Sequence, residues 1–312
     1  MPQPQKGICA EPNLHALYLM FNVIDEQDHA IREKLAKILD VFNHYDEEHY
    51  EAMISGVVAI GSNYWMELYP GELPLELAPF PDMSCEDRSA PVVPSDLFIQ
   101  IRADRADICH AIGVEVYELL KIHVELVEQV KGFRYLDGRD LTGFVDGTEN
   151  PKGMKKLDVA IVADEDPNFT GGSYIHVQRY RHNLDRWNQV EVEEQEKIIG
   201  RTKSDDVEFL SHKKARFAHT KRTSLKDDEG NSLEILRQSM PYGNMKVQGL
   251  FFVSCCKSSK PFTKMLESMI FGDETGTYDK LLDFTTPETG AAYFAPSVDF
   301  IKRLGKIPPA HF

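Results

Sequence analysis

Hydrophobic and polar positions along the first half of the chain alternate between two rhythms. Residues 14–21, LHALYLMF, are a continuous apolar run of strand length, and residues 31–42 then place Ile31, Leu35, Ile38, Leu39 and Phe42 at helical spacing. ISGVVAIG (54–61) and DLFIQIR (96–102) read as strands on either side of a Pro-rich connection. A second helix is predicted from about Asp104 to about His123, with Ile108, Ala111, Ile112, Val116 and Leu119 on one face. An apolar and aromatic segment from Val130 to Leu136 completes the order βαββαβ.

The second half repeats that order. After GFVDGTENP (143–151), a loop of turn formers, VAIVADE (159–165) and GGSYIHVQRY (171–180) read as strands and NLDRWNQVEVEEQEKIIG (183–200) as broken helix. LEILRQSM (233–240) and GLFFVSCC (249–256) are again strand-like. Ser259 and Pro261 open a helix carrying Phe262, Met265, Leu266, Met269 and Ile270, and AAYFAPS (291–297) closes the set. Two such units predict an α+β chain of two ferredoxin-like sandwiches, with antiparallel sheets covered by helices. The domains expected are 1–150 and 151–312, joined near Asn150 to Leu157.

Charge narrows the partners. With 50 acidic against 35 basic side chains, a formal −15, the average field repels phosphate backbones and anionic membrane surfaces, so neither nucleic acid nor membrane is expected. Cys9, Cys85, Cys109, Cys255 and Cys256 form no CxxC motif and read as reduced thiols of a cytosolic protein. MPQPQKGICAEPN lacks a basic segment leading into an apolar one, and no apolar run approaches eighteen residues, which also points to the cytoplasm.

Three polar residues invite a chemical reading. Asp146 stands between Phe144 and Val145 and the turn formers of GFVDGTENP, where it either punctuates a turn or delivers a carboxylate. Arg237 alternates with Leu233, Ile235 and Ser239, so its guanidinium either snorkels from an edge strand or faces a polar cavity. His219 lies in SHKKARFAHTKRTSLK (211–226), the most basic stretch, which is either a solvated loop or a ligand loop that meets an anionic cofactor. The other histidines read as unremarkable: His44 and His49 in HYDEEHY belong to a solvated acidic loop without metal-ligand spacing, and His311 lies in the tail.

Taken together, GFVDGTENP, GGSYIHVQRY, IGRTKSDDVE (199–208), the His219 segment, EILRQSMPYG (234–243) and LLDFTTPETGAAYFAP (281–296) resemble the dye-decolourising peroxidases, in their bacterial branch without a secretion signal. The resemblance runs from about Gly7 onward in consistent order. It implies two ferredoxin-like halves and a non-covalent haem b in the second, consistent with the absence of CxxCH. It further implies His219 as proximal iron ligand, with His176 the next candidate, and Asp283 as the carboxylate that orients the ligand. Asp146 and Arg237 become the distal pair, with Ser239 where many bacterial members carry asparagine. Gly147, Thr148, Glu149, Gln178, Arg179 and Arg201 become cofactor neighbours, the two arginines near the propionates.

The activity implied is reduction of hydrogen peroxide through a ferryl intermediate, with oxidation of phenolic or dye-like donors. A haem-storing or iron-releasing protein with incidental peroxidase activity is the alternative, against which the distal pair argues. Bulky donors would pass electrons through surface aromatics, for which Trp65, Trp187 and the tyrosines are candidates unless they serve as packing. A homo-oligomer, dimer or larger, is expected, and the short tail RLGKIPPAHF offers no long extension for packaging in a shell.

Overall fold

The computed structural model describes residues 2–306, so the end of the tail, with His311, lies outside the described residues. The first half comprises β1 (His15–Val23), α1 (Asp28–Glu48), β2 (Ser55–Gly61), α2 (Trp65–Leu68), β3 (Met83–Cys85), β4 (Arg88–Ala90), β5 (Leu97–Ala103), α3 (Ala106–Leu120) and β6 (Val124–Phe133). The second contributes α4 (Lys155–Ala160), β7 (Ser173–His182), α5 (Leu184–Trp187), α6 (Val192–Ile199), α7 (His219–Thr223), β8 (Leu236–Arg237) and β9 (Met240–Gly243). It ends with β10 (Gln248–Cys256), α8 (Lys260–Ile270), β11 (Thr285–Pro287), β12 (Ala291–Ala295) and α9 (Val298–Leu304).

The expected α+β class holds: the described strands pair antiparallel and helices pack on the sheet. In the main sheet the order runs β7-β12-β2-β5-β1-β6-β9-β10, and β7 also pairs with β10, so the ladder returns on itself. Side-chain alternation then sorts each strand into two cores. Leu17, Leu19, Ile99 and Ile101 meet Ile31, Leu35 and Ile38 of α1 and Ile108, Ile112 and Val116 of α3. Their alternates, Tyr18, Met20, Val57 and Phe98, gather with Val177, Phe251, Val253 and Tyr293 in a second core. Each such aliphatic or aromatic side chain removed from water stabilises the fold by roughly 1.5–3 kcal/mol.

The structure departs from the sequence reading in four places. VAIVADE is not a strand: α4 takes up Val159 and Ala160, Val159 O accepts one bond from Lys257 N, and Val162 makes a pair of bonds with Gly171 and Gly172 at 2.9 Å. So short an apolar run has the same pattern in a helix end as in a strand. HYDEEHY is not a loop, because α1 runs through it to Glu48 in the absence of any Gly or Pro to stop it. The hairpin of β3 and β4 lies hidden in the Pro-rich connection, and β11 and α9 are too short to show a period.

Candidate active site

The loop that follows β6 folds around its own polar groups. Asp140 accepts hydrogen bonds from the Thr142 amide at 3.0 Å, the Thr142 hydroxyl at 2.6 Å and His182 Nε2 at 3.1 Å, while Thr285 Oγ1 meets His182 Nδ1 at 2.8 Å. Burial alone would raise the Asp140 carboxyl, but the His182 charge and these hydrogen bonds outweigh it and bring the pKa down to about 2. Gly143, at φ +90°, lies where a Cβ would strike the Lys203 side chain 2.5 Å away. The Asp146 amide bonds Gly138 O at 3.1 Å, and Gly147 turns the chain at φ +76°. Turn chemistry and carboxylate placement are therefore the same feature here.

Asp146 and Arg237 meet at the wall of a cavity of about 420 Å³, where Arg237 Nη1 donates to Asp146 Oδ1 at 3.2 Å. Asp146 Oδ2 has no protein partner among the described residues. Of the two readings of Arg237, the cavity is the one realised. Leu233 and Ile235 line the same space, as does Glu234 between them, because the segment before β8 is not a regular strand. Ser239 does not line it: its hydroxyl turns to the neighbouring strand, accepting from Val253 N at 3.1 Å and donating to Val253 O at 3.5 Å. The regular strand stops at Arg237, so the alternation does not carry on to Ser239.

His219 opens α7 and lines the same cavity. Its Nδ1 lies 2.6 Å from Oδ2 of Asp279, a carboxylate with no solvent exposure, which leaves Nε2 without a protein partner among the described residues. The orienting carboxylate is thus Asp279 and not Asp283. Asp279 caps the short turn Lys280–Asp283 through Leu281 N at 3.0 Å, and its own amide bonds Met269 O of α8 at 3.0 Å. Asp283, at the far end of that turn, accepts from the Tyr278 hydroxyl at 3.0 Å instead. In the basic segment, Lys214 pairs with Glu208 and Arg216 with Asp273, so much of its charge fastens the loop; Lys226 lines the cavity.

The expected cofactor neighbours divide into two groups. Thr148, Glu149, Gln178 and Arg201 line the cavity, with Gly147 as the turn beside them. Arg201 is buried among Asp206 at 2.7 Å, Glu149 at 3.0 Å and Glu208 at 3.3 Å, and Thr148 donates to Asp206. Arg179 points elsewhere, to Glu128 at 2.5 Å and Glu288 at 3.0 Å, because its neighbours Gln178 and Tyr180 occupy the cavity side of β7. His176 shares the Gln178 face but lies beyond the cavity lining, stacked on Phe262 at 4.2 Å, and burial pushes its pKa down to about 3. Trp65 and Trp187 are wholly buried in separate cores, where they pack.

These groups fit a haem. An imidazole with a free Nε2 and apolar walls from Ile199, Leu250, Phe252, Phe262 and Met265 suit a flat iron macrocycle. Gln178 Nε2 is buried without a partner on the same lining, a donor left for whatever fills the space. Among the described residues no cluster of three or more His, Cys, Asp or Glu side chains could hold a bare metal ion.

Asp140 gives a pH prediction. Its folded pKa, about 2, lies below the ordinary 3.8, so the stability it contributes is complete above about pH 4 and is lost as the pH falls towards 2. Asp140→Asn is expected to cost about 2 kcal/mol near neutrality, the size of that shift at about 1.4 kcal/mol per pKa unit. Urea midpoints of the two proteins should converge below about pH 4; a gap that stays constant from pH 7 to pH 3 would contradict this.

Comparisons with known proteins give the family. Residues 5–134 match the family model for the N-terminal part of Dyp-type peroxidases and residues 137–300 that for the C-terminal part. The chain is 37% identical over 309 residues to a dye-decolorizing peroxidase of Mycolicibacterium paratuberculosis, covering 98% of this chain and 86% of that one. A putative dyp-type peroxidase from Shewanella oneidensis superposes with a TM-score of 0.96 at 50% identity, covering 97% and 99% of the two chains. A variant of DypB from Rhodococcus jostii RHA1 in complex with heme superposes at 0.93 with 35% identity, covering 97% and 99%.

Proposed function

The chain belongs to the Dyp-type peroxidase family and is a peroxidase, and from that premise we propose that it holds haem b non-covalently in the cavity shared by His219, Asp146 and Arg237. The observation that carries the proposal is that the Asp146 and Arg237 pair and the His219 and Asp279 pair line or back a single apolar-walled space. His219 is the iron ligand through Nε2, and Asp279 fixes its tautomer and makes it a stronger donor. Gln178, whose Nε2 is unpartnered, would meet the propionate edge, and Thr148, Glu149 and Arg201, the last held by its carboxylates, would border the cofactor. Haem supplies the oxidising chemistry when bound.

The protein's part is proton and charge management. Asp146 Oδ2 takes a proton from one oxygen of hydrogen peroxide and returns it to the departing oxygen, which leaves as water. Arg237 stays protonated and steadies the negative charge that develops as the oxygens separate. Over the whole reaction two electrons and two protons from small phenolic or dye-like donors convert the peroxide into two waters. The same reading takes the chain as two ferredoxin-like halves, 1–150 and 151–312, supported by the strand order β6-β1-β5-β2 in the first and the matching order β12-β7-β10-β9 in the second.

One equivalent of hydrogen peroxide added to the haem-loaded protein tests the proposal. Expected are a fast change in the haem absorption spectrum and its reversal by a phenol. Bound haem that ignores peroxide would point to haem storage or iron release, and failure to take up haem would leave the cavity without its proposed occupant.

A further inference from the structure

Asp146 and Arg237 are 22% and 26% exposed, and an ion pair so open to water contributes at most about 1 kcal/mol and does not hold its own geometry. Something else must keep the two residues in register. Strand β8, which carries Arg237, is only two residues long and pairs with β10 at just Leu236 and Arg237. Its other side is occupied by a side chain. Asn150 Oδ1 accepts from the Arg237 amide at 2.9 Å, and Asn150 Nδ2 donates to the Arg237 carbonyl at 2.8 Å. One amide thus meets both main-chain groups of Arg237 as a neighbouring strand would.

Asn150 is also one turn away from Asp146. Its amide bonds Gly147 O at 3.0 Å, and a Cβ on Gly147 would lie 3.3 Å from Asn150 Nδ2, so the turn is packed against the clamp. Pro151 follows and restricts the Asn150 backbone to extended conformations. We propose that Asn150 is a positioning residue for the peroxide reaction: its carboxamide fastens the main chain of Arg237 to the turn that carries Asp146, so the two distal groups keep their separation independently of their own ion pair. The inference rests on the distal roles given to Asp146 and Arg237 above. Alanine removes both clamp bonds, whereas aspartate keeps the acceptor for the Arg237 amide and loses the donor to its carbonyl.

The test is a double-mutant cycle on haem-loaded, full-length protein, read as the rate of the spectral change with hydrogen peroxide. Asn150→Ala should slow that rate by about tenfold to a hundredfold, the cost of misplacing reacting groups by a fraction of an ångström to an ångström, with the KM for a phenolic donor unchanged. Asn150→Asp should lose less. In the Arg237→Leu background Asn150→Ala should have no further effect, because its partner's function is already gone. Hydrogen exchange on the cofactor-free protein should show the Arg237 amide exchanging faster in Asn150→Ala while that of Phe21 in β1 keeps its protection. Equal losses in both backgrounds, an unchanged rate in Asn150→Ala while Arg237→Leu is slow, or an unaltered Arg237 amide would each overturn the proposal. An unchanged rate in Arg237→Leu itself would instead overturn the distal assignment on which it rests.

Discussion

Asp146→Asn slows the reaction of the haem-loaded protein with hydrogen peroxide by about two to four orders of magnitude, the contribution expected of a positioned acid-base group. Asparagine keeps the shape and can still accept from Arg237 Nη1, which lies 3.2 Å from the present carboxylate, but it cannot take up a proton. Haem content should not change, because Asp146 is not among the groups proposed to hold the cofactor. Arg237→Leu should cost about two to three orders of magnitude, typical of losing one preorganised charge-stabilising donor. Since the two act as a unit, the double variant should be scarcely slower than Asp146→Asn alone. Stopped-flow rates across the three variants measure this, and multiplicative losses would show that the groups act in separate steps.

Haem retention in Asp279→Asn should fall by about tenfold to a hundredfold, the usual effect of removing the partner of a metal-binding imidazole. The carboxylate has no solvent exposure and sits 2.6 Å from His219 Nδ1, so the pair is made away from bulk solvent. Asp283→Asn serves as the comparison: the same charge is removed four residues later, from a side chain bound to the Tyr278 hydroxyl, and haem should stay as tightly held as in the parent. Competition for haem against an apoglobin gives the affinities. Equal loss in both variants would remove Asp279 from its assigned place.

That comparison shows what sequence reasoning reached and what it did not. Asp279 and Asp283 stand in one short stretch, TYDKLLDFT, and only the tight turn between them decides which carboxylate faces back towards His219. Arg237 stood out as a cation interrupting an apolar alternation, but that pattern left snorkelling and a cavity both open, and only the structure places it at the cavity with Leu233 and Ile235. The same alternation already made Arg179 incompatible with Gln178 as a cavity residue, since adjacent strand positions point to opposite faces. Ser239 could not be placed this way, because alternation lapses where β8 ends. Long periodic segments such as α1 and α3 were clear, whereas VAIVADE was too short to declare itself. The His182 and Asp140 pair gave no local signal at all, because 42 residues separate its members.

The returning ladder has a mechanical consequence. Between the first and second halves it is stitched at two seams, by Gly132 with Tyr242 on one side and by Ile60 and Gly61 with Phe294 and Tyr293 on the other. Main-chain bonds from Ser62 N to Ala292 O and from Val93 N to Gly290 O extend the second seam, and the shared core of Tyr18, Phe98, Phe251 and Tyr293 packs between the two. Packed side chains resist separation but yield more readily to sliding. Relative motion of the halves would therefore be a shear along the strands, not an opening like a hinge. Asp146 follows the last strand of the first half while Arg237 and His219 belong to the second, so the Asn150 clamp, which ties the Asp146 turn to the Arg237 main chain, is what such a shear would load first.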